Sequence, residues 1–406
     1  MYIDQLELKD KKVLLRVDFN VPLNSDYKIL DDTRIEKALP TIKYILEQGG
    51  SIILLSHLGR PEKKKKADGS IDRQKFTLEH TVQRLTELLG DSAKAVHFVG
   101  DTIGSEVQAK AKALEPKEIL VLENTRFYAE ETAGDKDFAK QLADLAAVYI
   151  NDAFGTAHRA HASTATVAQF FDQQHKGFGF LIKEELEAAK KLTNNPARPF
   201  TAIVGGAKVS DKILLLEKML DNVDHIVIGG GMAYTLIKAQ GGKIGASLLE
   251  EDRVQTAKDF LAKAKERNVQ ILLPTDSVIA DKFDNLANTK TVASNDISAG
   301  WLGLDIGKQA AADFTKVIEA SKTIIWNGPM GVFEMKNFSN GTLQIADAVA
   351  KATKNGAYSL VGGGDSVSAV NQAGKGDEVS FMSTGGGAML KLLEGSTLPS
   401  VEAITK

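Results

Sequence analysis

Short runs of Val, Ile and Leu recur along the chain, and each is followed by a segment with helical spacing. This alternation is typical of buried parallel strands joined by crossover helices. In the first half it predicts strands at Val13–Val17, Ile52–Leu55, Ile119–Leu122 and Ala147–Ile150, with helices at Arg34–Glu47, Thr77–Leu89, Gly104–Ala113 and Lys136–Asp144. In the second half it predicts strands near Thr201–Val204, His225–Ile228, Gln270–Leu273, Thr323–Trp326, Ala357–Val361 and Val379–Met382.

The two halves meet at an amphipathic segment. Its apolar positions, Leu181 to Leu192, repeat at helical spacing, and Asn194-Asn195-Pro196 then stops the helix. A chain of 406 residues has room for two or three domains. We therefore predict an α/β protein with two doubly wound, Rossmann-like parallel-sheet domains, 1–175 and 196–388, joined by a linking helix or hinge at 176–195. The alternative is one large sheet in which this helix is another crossover.

Composition excludes several classes of protein. The number of Lys and Arg residues (50) nearly equals that of Asp and Glu residues (53), so the net charge does not favour a nucleic-acid or membrane-surface partner. The absence of cysteine excludes a disulfide scaffold, a thiolate metal site and a cysteine nucleophile. Met1–Asp4 lacks the start of a signal peptide, and no run of about 18 apolar residues occurs. We expect a soluble, cytoplasmic protein.

Cations and amides follow the first-half strands. These strand ends lead into Asp18–Pro22, His57–Pro61, Glu123–Arg126 and Asn151–His161, and Arg34 lies near a helix start. In parallel sheets, ligands bind outside the carboxyl ends of the strands. Unpaired cations 4 Å apart repel by about 4 kcal/mol at an effective dielectric near 20, so such a collection needs an anionic partner. A small phosphate or carboxylate fits best. The alternative is that each arginine is an ordinary surface or salt-bridge residue.

Glycine clusters follow the second-half strands, from Gly205-Gly206 to Gly385-Gly386-Gly387. Glycine allows the backbone to approach a ligand closely, and a helix start behind it directs free N–H groups at phosphate oxygens. This pattern favours a nucleotide site, although tight βα turns explain any single cluster equally well. Neither a Walker-type P-loop nor a G-x-G-x-x-G fingerprint occurs.

Four further side chains are candidates for this nucleotide edge. Lys208 and Lys212 are four residues apart and would share one face of a helix, either pointing at phosphates or simply exposed. Asp365 follows a glycine triplet and is either an N-cap or a magnesium ligand. Glu334 either accepts hydrogen bonds from a ribose or is merely exposed.

With these residues in view, the sequence closely resembles the phosphoglycerate kinase family over essentially its whole length. The matching stretches are Arg16–Pro22, Ser56–Pro61, Asn151–Ser163, Gly205–Ile213, Trp326–Pro329, Gly362–Ser366 and Ser383–Gly387. The resemblance implies a two-domain enzyme with a cleft between its domains, which transfers a phosphoryl group in line between 1,3-bisphosphoglycerate and ADP after hinge closure. It also implies a monomer, and a tail, 389–406, that returns to the first domain.

The resemblance carries a set of site residues with it. Those implied to hold phosphoglycerate are Asp18, Phe19, Asn20, Arg34, His57, Leu58, Gly59, Arg60, Arg126 and Arg159. Those implied to hold ATP or ADP are Gly206, Lys208, Lys212, Gly303, Asn327, Glu334, Gly363, Gly364, Asp365 and Ser366, with Asp365 near Mg²⁺. The catalytic groups would be Arg34, Lys208 and the N–H groups of Gly363 and Gly364.

Departures from the family pattern are modest. The lysine-rich loop Glu62–Arg73 has no role that the sequence reveals, and Ser396 and Ser400 differ from the usual tail. Two rival functions remain at this point. A dehydrogenase is disfavoured by the missing dinucleotide fingerprint, and a non-catalytic two-domain binding protein would not need paired lysines facing a metal-binding carboxylate.

Overall fold

The computed structural model describes all 406 residues, and the chain divides into two compact units. Unit 1 comprises Met1–Glu187 together with Thr397–Lys406, and unit 2 comprises Ala188–Ser396. No helix combines the length and the apolar composition that a bilayer-spanning segment needs.

Unit 1 contains one six-stranded sheet in the order β3-β4-β2-β1-β5-β6, and every neighbouring pair is parallel. Its strands are β1 (Lys12–Arg16), β2 (Ser51–Leu55), β3 (Ala95–Phe98), β4 (Glu118–Val121), β5 (Val148–Asn151) and β6 (Lys176–Phe178). The helices between them are α1 (Thr33–Glu47), α2 (Arg73–Phe76), α3 (Glu79–Leu89), α4 (Ser105–Ala113), α5 (Ala129–Ala133) and α6 (Lys136–Ala143), and α7 (Phe180–Thr193) follows β6.

Unit 2 repeats the design with a second parallel sheet in the order β10-β8-β7-β15-β16-β17. Its strands are β7 (Phe200–Val204), β8 (His225–Ile228), β9 (Lys243–Ile244), β10 (Gln270–Leu272), β11 (Asp276–Ala280), β12 (Thr289–Ala293), β13 (Asp296–Ile297), β14 (Leu302–Ile306), β15 (Thr323–Asn327), β16 (Tyr358–Val361) and β17 (Phe381–Met382). Its helices are α8 (Ile213–Met219), α9 (Met232–Ala239), α10 (Val254–Glu266), α11 (Lys308–Ala320), α12 (Asn340–Lys354), α13 (Gly364–Gln372) and α14 (Gly386–Leu393), and α15 (Pro399–Thr405) belongs to unit 1.

The apolar runs become central strands because both sheet faces are covered. Every residue of β2, β7 and β15 is buried, which is why their sequences are continuously apolar rather than alternating. Each unit has its own apolar core, built around β1 and β2 in unit 1 and around β15 and α12 in unit 2. The predicted class of two parallel-sheet α/β domains is thus confirmed, and the single large sheet is excluded.

Two predicted boundaries differ from the structure. The sequence predicts a linking segment at 176–195, but Lys176–Phe178 pairs with β5 as an edge strand, so the helix begins only at Phe180. The predicted tail is 389–406, but α14 belongs to unit 2 and only Thr397–Lys406 belongs to unit 1. Ser400 anchors that segment, because its backbone N–H and its hydroxyl both donate to the Ala157 carbonyl, at 3.2 and 3.1 Å.

The strand order also locates the places where ligands can bind. In unit 1 the chain builds the sheet outward on one side of β1 and then crosses to its other side at β5, and in unit 2 it does the same around β7 and β15. Loops at such switch points diverge and leave a crevice at the carboxyl ends of the strands. The residues after β1 and β5, and after β7 and β15, therefore line the candidate sites.

Candidate functional site

In unit 1 the loops after β1 and β2 are tied to each other. The Phe19 N–H donates to Ser56 Oγ at 2.8 Å, and the Gly59 N–H donates to Asn20 Oδ1 at 2.7 Å. The side chains of Phe19 and Leu58 are buried in the core. Any contact of these two residues with a ligand would therefore be made by the main chain.

Arginines from three elements gather at this edge. Arg34 at the start of α1 pairs with Asp18 at 2.5 Å, and Arg126 donates to the Gly59 carbonyl at 2.8 Å. Arg159, in the loop after β5, donates from Nε to His158 Nε2 at 3.2 Å. Burial lowers the pKa of Arg126 to about 10, and repulsion by Arg16 and Arg159 adds to the effect. The cluster therefore holds more positive charge than its protein partners neutralise, as an anion-binding site requires.

Two histidines of the cluster are neutral at pH 7. Burial lowers the pKa of His57 well below its ordinary value; Asp18 opposes this change, whereas Arg126 and Arg16 add to it. Burial likewise lowers the pKa of His161 to about 3, again with help from Arg126 and Arg16. The charge of the cluster is therefore carried by arginines.

Arg60 is placed apart from the others. It directly follows Gly59, but its side chain is exposed and its guanidinium makes no hydrogen bond or ion pair. Since nothing in unit 1 holds this side chain, it is free to approach a ligand from the loop after β2.

Sequence reasoning missed a buried layer behind the arginines. Arg16 is fully buried and donates from Nε to Ser163 Oγ at 2.8 Å, and Ser163 Oγ donates to Glu131 Oε1 at 2.6 Å. Glu131 is also fully buried and accepts the Ser163 N–H at 2.9 Å. The burial of Arg16 could have been predicted, because it is a charged residue at the end of an otherwise apolar strand. No feature of the sequence around Glu131 predicts that Glu131 is buried.

In unit 2 several of the glycines pack loops against each other. A Cβ on Gly205 would lie 2.0 Å from the Pro329 carbonyl oxygen, and one on Gly328 would lie 2.1 Å from the Gly205 oxygen. A Cβ on Gly230, where φ is +70°, would lie 2.6 Å from the Gly206 oxygen. These glycines therefore keep the loops after β7, β8 and β15 in direct backbone contact, and that contact shapes the wall of a cleft.

The cleft has a volume of about 430 Å³ and is lined by Gly206, Gly303, Glu334 and Asp365 from the predicted nucleotide set. Apolar side chains complete its wall, among them Tyr234, Leu248, Phe283, Met330 and Val332. A mainly apolar cleft with a few polar groups at its rim is the usual form of a site for an organic ligand. Glu334 is exposed at this wall and is not engaged by protein.

Lys212, Asn327, Gly363 and Ser366 form a second part of the predicted set. Lys212 Nζ donates to Asn327 Oδ1, and Asn327 Nδ2 donates to the Gly362 carbonyl at 2.6 Å. Ser366 Oγ accepts the Gly328 N–H at 2.6 Å. These side chains join the ends of β15 and β16, so their hydrogen bonds in this structure hold the loops in place.

The expectation that Lys208 and Lys212 share a helix face is wrong. Helix α8 begins only at Ile213, and Lys212 is its N-cap. Val209 is buried, and Ser210 donates from both its N–H and its hydroxyl to Glu250, so the segment is held as a turn. Lys208 is exposed, whereas Lys212 is partly buried, and burial lowers its pKa while Asp211 and Asp365 oppose the change.

Helix α13 presents its N-terminus beside the cleft. Its N-cap Gly363 has φ +95°, and a Cβ on Gly364 would meet nothing within 4 Å. There is therefore open space beside Gly364 at this helix end, where a helix dipole favours an anion.

Asp365 lies in the same turn, exposed and without an ion pair. No group of three or more potential ligands that could cage a metal ion exists in the chain. Mg²⁺ is commonly held by one or two carboxylates together with substrate phosphates and water. A single free carboxylate at a phosphate-accepting helix end fits that mode of binding.

A parallel α/β unit with an arginine cluster and a second with a glycine-walled cleft are typical of the class of two-domain α/β proteins that bind small ligands at the carboxyl ends of their strands. The chain matches the family model described as phosphoglycerate kinase over residues 3–396. It is 46% identical to the phosphoglycerate kinase of Porphyromonas gingivalis over the full length of both chains. It is 50% identical to that of Chloroherpeton thalassium, covering 99% of this chain and 98% of the relative.

The solved structure of phosphoglycerate kinase from Coxiella burnetii superposes with a TM-score of 0.86 at 39% identity, covering 100% of this chain and 98% of that one. The chain belongs to the phosphoglycerate kinase family. It is therefore a phosphotransferase of glycolysis, acting between 1,3-bisphosphoglycerate and ADP. This membership excludes the dehydrogenase and the non-catalytic binding protein.

Proposed function

We propose that unit 1 holds the phosphoglycerate and that unit 2 holds the nucleotide with Mg²⁺. The observation that carries the first half is the gathering of Arg34, Arg126 and Arg159 at one edge of the sheet, where burial and then repulsion by Arg16 and Arg159 lower the pKa of Arg126 to about 10. A phosphate and a carboxylate on one small molecule would relieve that repulsion, and guanidinium groups bind both bidentately.

The cleft of unit 2 supports the second half of the proposal. Its apolar walls suit a nucleoside, and Glu334 at the wall is free to accept from ribose hydroxyls. The phosphates would extend toward Lys208, Lys212 and the N-terminus of α13, where Asp365 would bind Mg²⁺. The metal would neutralise phosphate charge, and the protein groups would orient the chain of phosphates.

The chemistry needs alignment rather than a general base. The acceptor in the ATP-consuming direction is a carboxylate that is already ionised at neutral pH. Phosphoryl transfer spreads negative charge over the moving group, and fixed donors directed at it supply most of the catalysis. We assign this role to Arg34, Lys208 and the N–H groups of Gly363 and Gly364. In-line transfer requires reactants held in contact, so ligands on separate units imply a closing motion about the hinge.

The proposed division of ligands is tested with Arg60→Ala. The exposed Arg60 side chain makes no hydrogen bond or ion pair, so we expect its removal to leave the fold unchanged, and Lys64→Ala in the adjacent loop is a matched control. Isothermal titration calorimetry is expected to show weaker binding of 3-phosphoglycerate by Arg60→Ala, by roughly tenfold or more for a lost charge-assisted hydrogen bond. Binding of ADP should stay unchanged. Equal loss of both affinities would contradict the division.

The role of Lys208 is tested by Lys208→Ala, with the exposed Lys238→Ala as control. An interaction that strengthens in the transition state lowers kcat when removed, whereas uniform binding raises only KM. We expect turnover to fall by about a hundredfold or more, in line with the loss of one fixed donor to the transferring group. Near-normal turnover with a raised KM for the nucleotide would remove Lys208 from the catalytic set.

The remaining assignments concern the cellular compartment, the oligomeric state and the partners of the enzyme. We propose that it works in the cytoplasm as a monomer without nucleic-acid partners. The absence of cysteine suits a reducing compartment, and the net charge of -3 does not favour nucleic acid. Light scattering on the purified chain, with a mass of 43.7 kDa expected, tests the oligomeric state.

A further inference from the structure

We propose that Arg16 acts as a positioning residue that fixes His57 as a neutral ring with its proton on Nε2, so that His57 offers an uncharged donor to the phosphoglycerate. The inference rests on the proposed function in placing the substrate beside His57. The tautomer itself follows from the geometry of the protein groups.

Arg16 ends β1, the central strand of the unit 1 sheet, and its side chain is fully buried. A buried guanidinium must find acceptors for its N–H groups. It donates to Ser163 Oγ at 2.8 Å and to the Val17 carbonyl, and Nη2 lies 3.3 Å from His57 Nδ1. Ser163 donates its own hydroxyl proton to Glu131, so its oxygen is free to accept from Arg16.

The direction of the contact with His57 follows from chemistry. A guanidinium can only donate, so Nδ1 must offer its lone pair, and the ring proton then lies on Nε2. The competing partner of Nδ1 is Asp18 Oδ1, but at 3.7 Å it is too far for a hydrogen bond. The other oxygen of Asp18 is bound to Arg34 at 2.5 Å. Asp18 is therefore committed to Arg34.

The groups that face His57 come from several elements. Asp18 favours the charged ring, whereas Arg16, Arg34 and Arg126 oppose it, and burial opposes it most. His57 is 3% exposed, so little solvent reaches the ring to stabilise an added proton. The ring therefore stays neutral through the physiological pH range, in agreement with the direction of its hydrogen bond.

In this arrangement different residues attract the substrate and orient it. The arginines supply the positive charge, and His57 supplies one directed N–H whose strength does not change between pH 6 and 8. Arg16 is fully buried and cannot itself touch a ligand. Its contribution to binding is the proton position of its neighbour.

The test uses the full-length chain labelled with ¹⁵N-histidine, in two-bond ¹H–¹⁵N correlation spectra from pH 5.5 to 8.5, with the His57 signals assigned through His57→Gln. We expect the Nε2–H pattern without titration across this pH range. A His57 proton on Nδ1, or a ring that becomes charged near pH 6.5, overturns the inference. The titration is measured on the unmodified protein, and His57→Gln serves only to assign the signals.

Arg16→Lys then tests the positioning role. Lysine keeps a positive charge near Glu131 but cannot reach Ser163 and His57 together, so we expect a mixture of His57 tautomers. The KM for 3-phosphoglycerate should rise about tenfold, as for one weakened hydrogen bond to a charged group, with the KM for ATP unchanged. An unchanged His57 spectrum in Arg16→Lys refutes the role of Arg16.

A pair of substitutions at His57 separates this inference from the proposed function. The amide nitrogen of glutamine reaches the place of Nε2, whereas that of asparagine falls near Nδ1, so His57→Gln should bind 3-phosphoglycerate more tightly than His57→Asn. The reverse order contradicts a donor at Nε2. If the ligand-free protein shows the Nε2–H form but saturating 3-phosphoglycerate leaves the His57 signals unmoved, the tautomer is established and the proposed substrate site is wrong.

Discussion

Asp152 is a buried carboxyl group whose titration should be visible in the stability of unit 1. It lies in the loop after β5, and its Oδ1 accepts the N–H of Ile182 at 3.1 Å in the first turn of α7. Thr41 also bonds to it, and its Oδ2 is buried without a partner. Burial raises the pKa of Asp152 to about 7, against 3.8 for the free side chain, and Glu184 adds repulsion.

The sign of the pH effect follows from these two values. Between pH 3.8 and about 7 the folded state holds a proton that the unfolded chain has lost, so the free energy of unfolding falls as the pH rises through this window. A shift of about three pKa units corresponds to about 4 kcal/mol, since one unit is worth about 1.4 kcal/mol. Unit 1 should therefore lose up to about 4 kcal/mol from this group between pH 4 and pH 8.

Asp152→Asn replaces the acid by a group that does not titrate. The amide places a buried NH₂ group where Oδ2 lies, which lowers the free energy of unfolding by about 1–3 kcal/mol at every pH. The test is therefore how the free energy of unfolding changes with pH, and not its value at any one pH. Hydrogen exchange of the β1 and β5 amides reports the free energy of opening of unit 1, and that of β7 and β15 reports unit 2. The lowered pKa values of His57 and His161 contribute a slope of opposite sign to unit 1, equally in the wild-type chain and in the variant. We therefore expect the free energies of opening of the two proteins to diverge by up to about 4 kcal/mol between pH 4 and pH 8 in unit 1, and to run parallel in unit 2.

Asp305 provides the matched comparison in unit 2. Burial raises its pKa to about 7 as well, although the Gly341 and Ile306 N–H groups donate to it. Asp305→Asn should flatten the slope of unit 2 and leave unit 1 unchanged. Parallel pH profiles for the wild-type chain and Asp152→Asn in unit 1 would refute the reasoning, because the carboxyl group would then have the same pKa in both states.

Two further predictions concern packing. Gly205→Ala should destabilise unit 2 by about 3 kcal/mol or more, because the new methyl group would lie 2.0 Å from the Pro329 carbonyl oxygen, and urea unfolding followed by tryptophan fluorescence measures the loss. An unchanged midpoint would show that the loops can move apart at little cost. Ser400→Ala should release one of two hydrogen bonds to the Ala157 carbonyl and weaken the docking of the tail by about 1 kcal/mol, read as faster hydrogen exchange in α15. Thr405→Ala removes a hydroxyl bonded only within the tail and is the control, so equal effects in the two variants would argue against a specific anchor.

The sequence predicts the central strands well. Because these strands are buried on both faces, most of their residues are apolar, and such runs are easy to recognise. It does not predict β3 or β6, since both are short edge strands in which His97 or Gly177 interrupts the apolar run. The antiparallel sheet of β11, β12 and β14 was also missed. The residues of β12 are mostly exposed and leave no apolar pattern to detect.

The candidate sites, too, could be predicted only where the local sequence pattern determines the structure. Strand-end position was enough to predict that Arg126 and Arg159 approach each other, because parallel strands carry their C-terminal residues to one edge. It also predicted Arg60 at this edge, and the structure leaves that side chain exposed and apart from the others. It was not enough to predict the turn at Lys208–Lys212, which depends on Ser210 bonding to Glu250, forty residues away in the chain. A spacing of four residues is evidence for a helix face only where no such distant partner competes.

The buried layer of unit 1 explains how an anion site of this charge can exist in the ligand-free protein. Arg16 and Glu131 are both fully buried and are joined through Ser163, so they balance each other within the fold. Removing either one would leave a buried charge without its partner, a loss usually worth several kcal/mol. The pair therefore adds little net charge to the cluster, and the attraction for an anion comes from the more exposed arginines. On the proposed function, a substrate would bind and leave by exchanging contacts with Arg34, Arg60 and Arg159, while the buried layer keeps its hydrogen bonds.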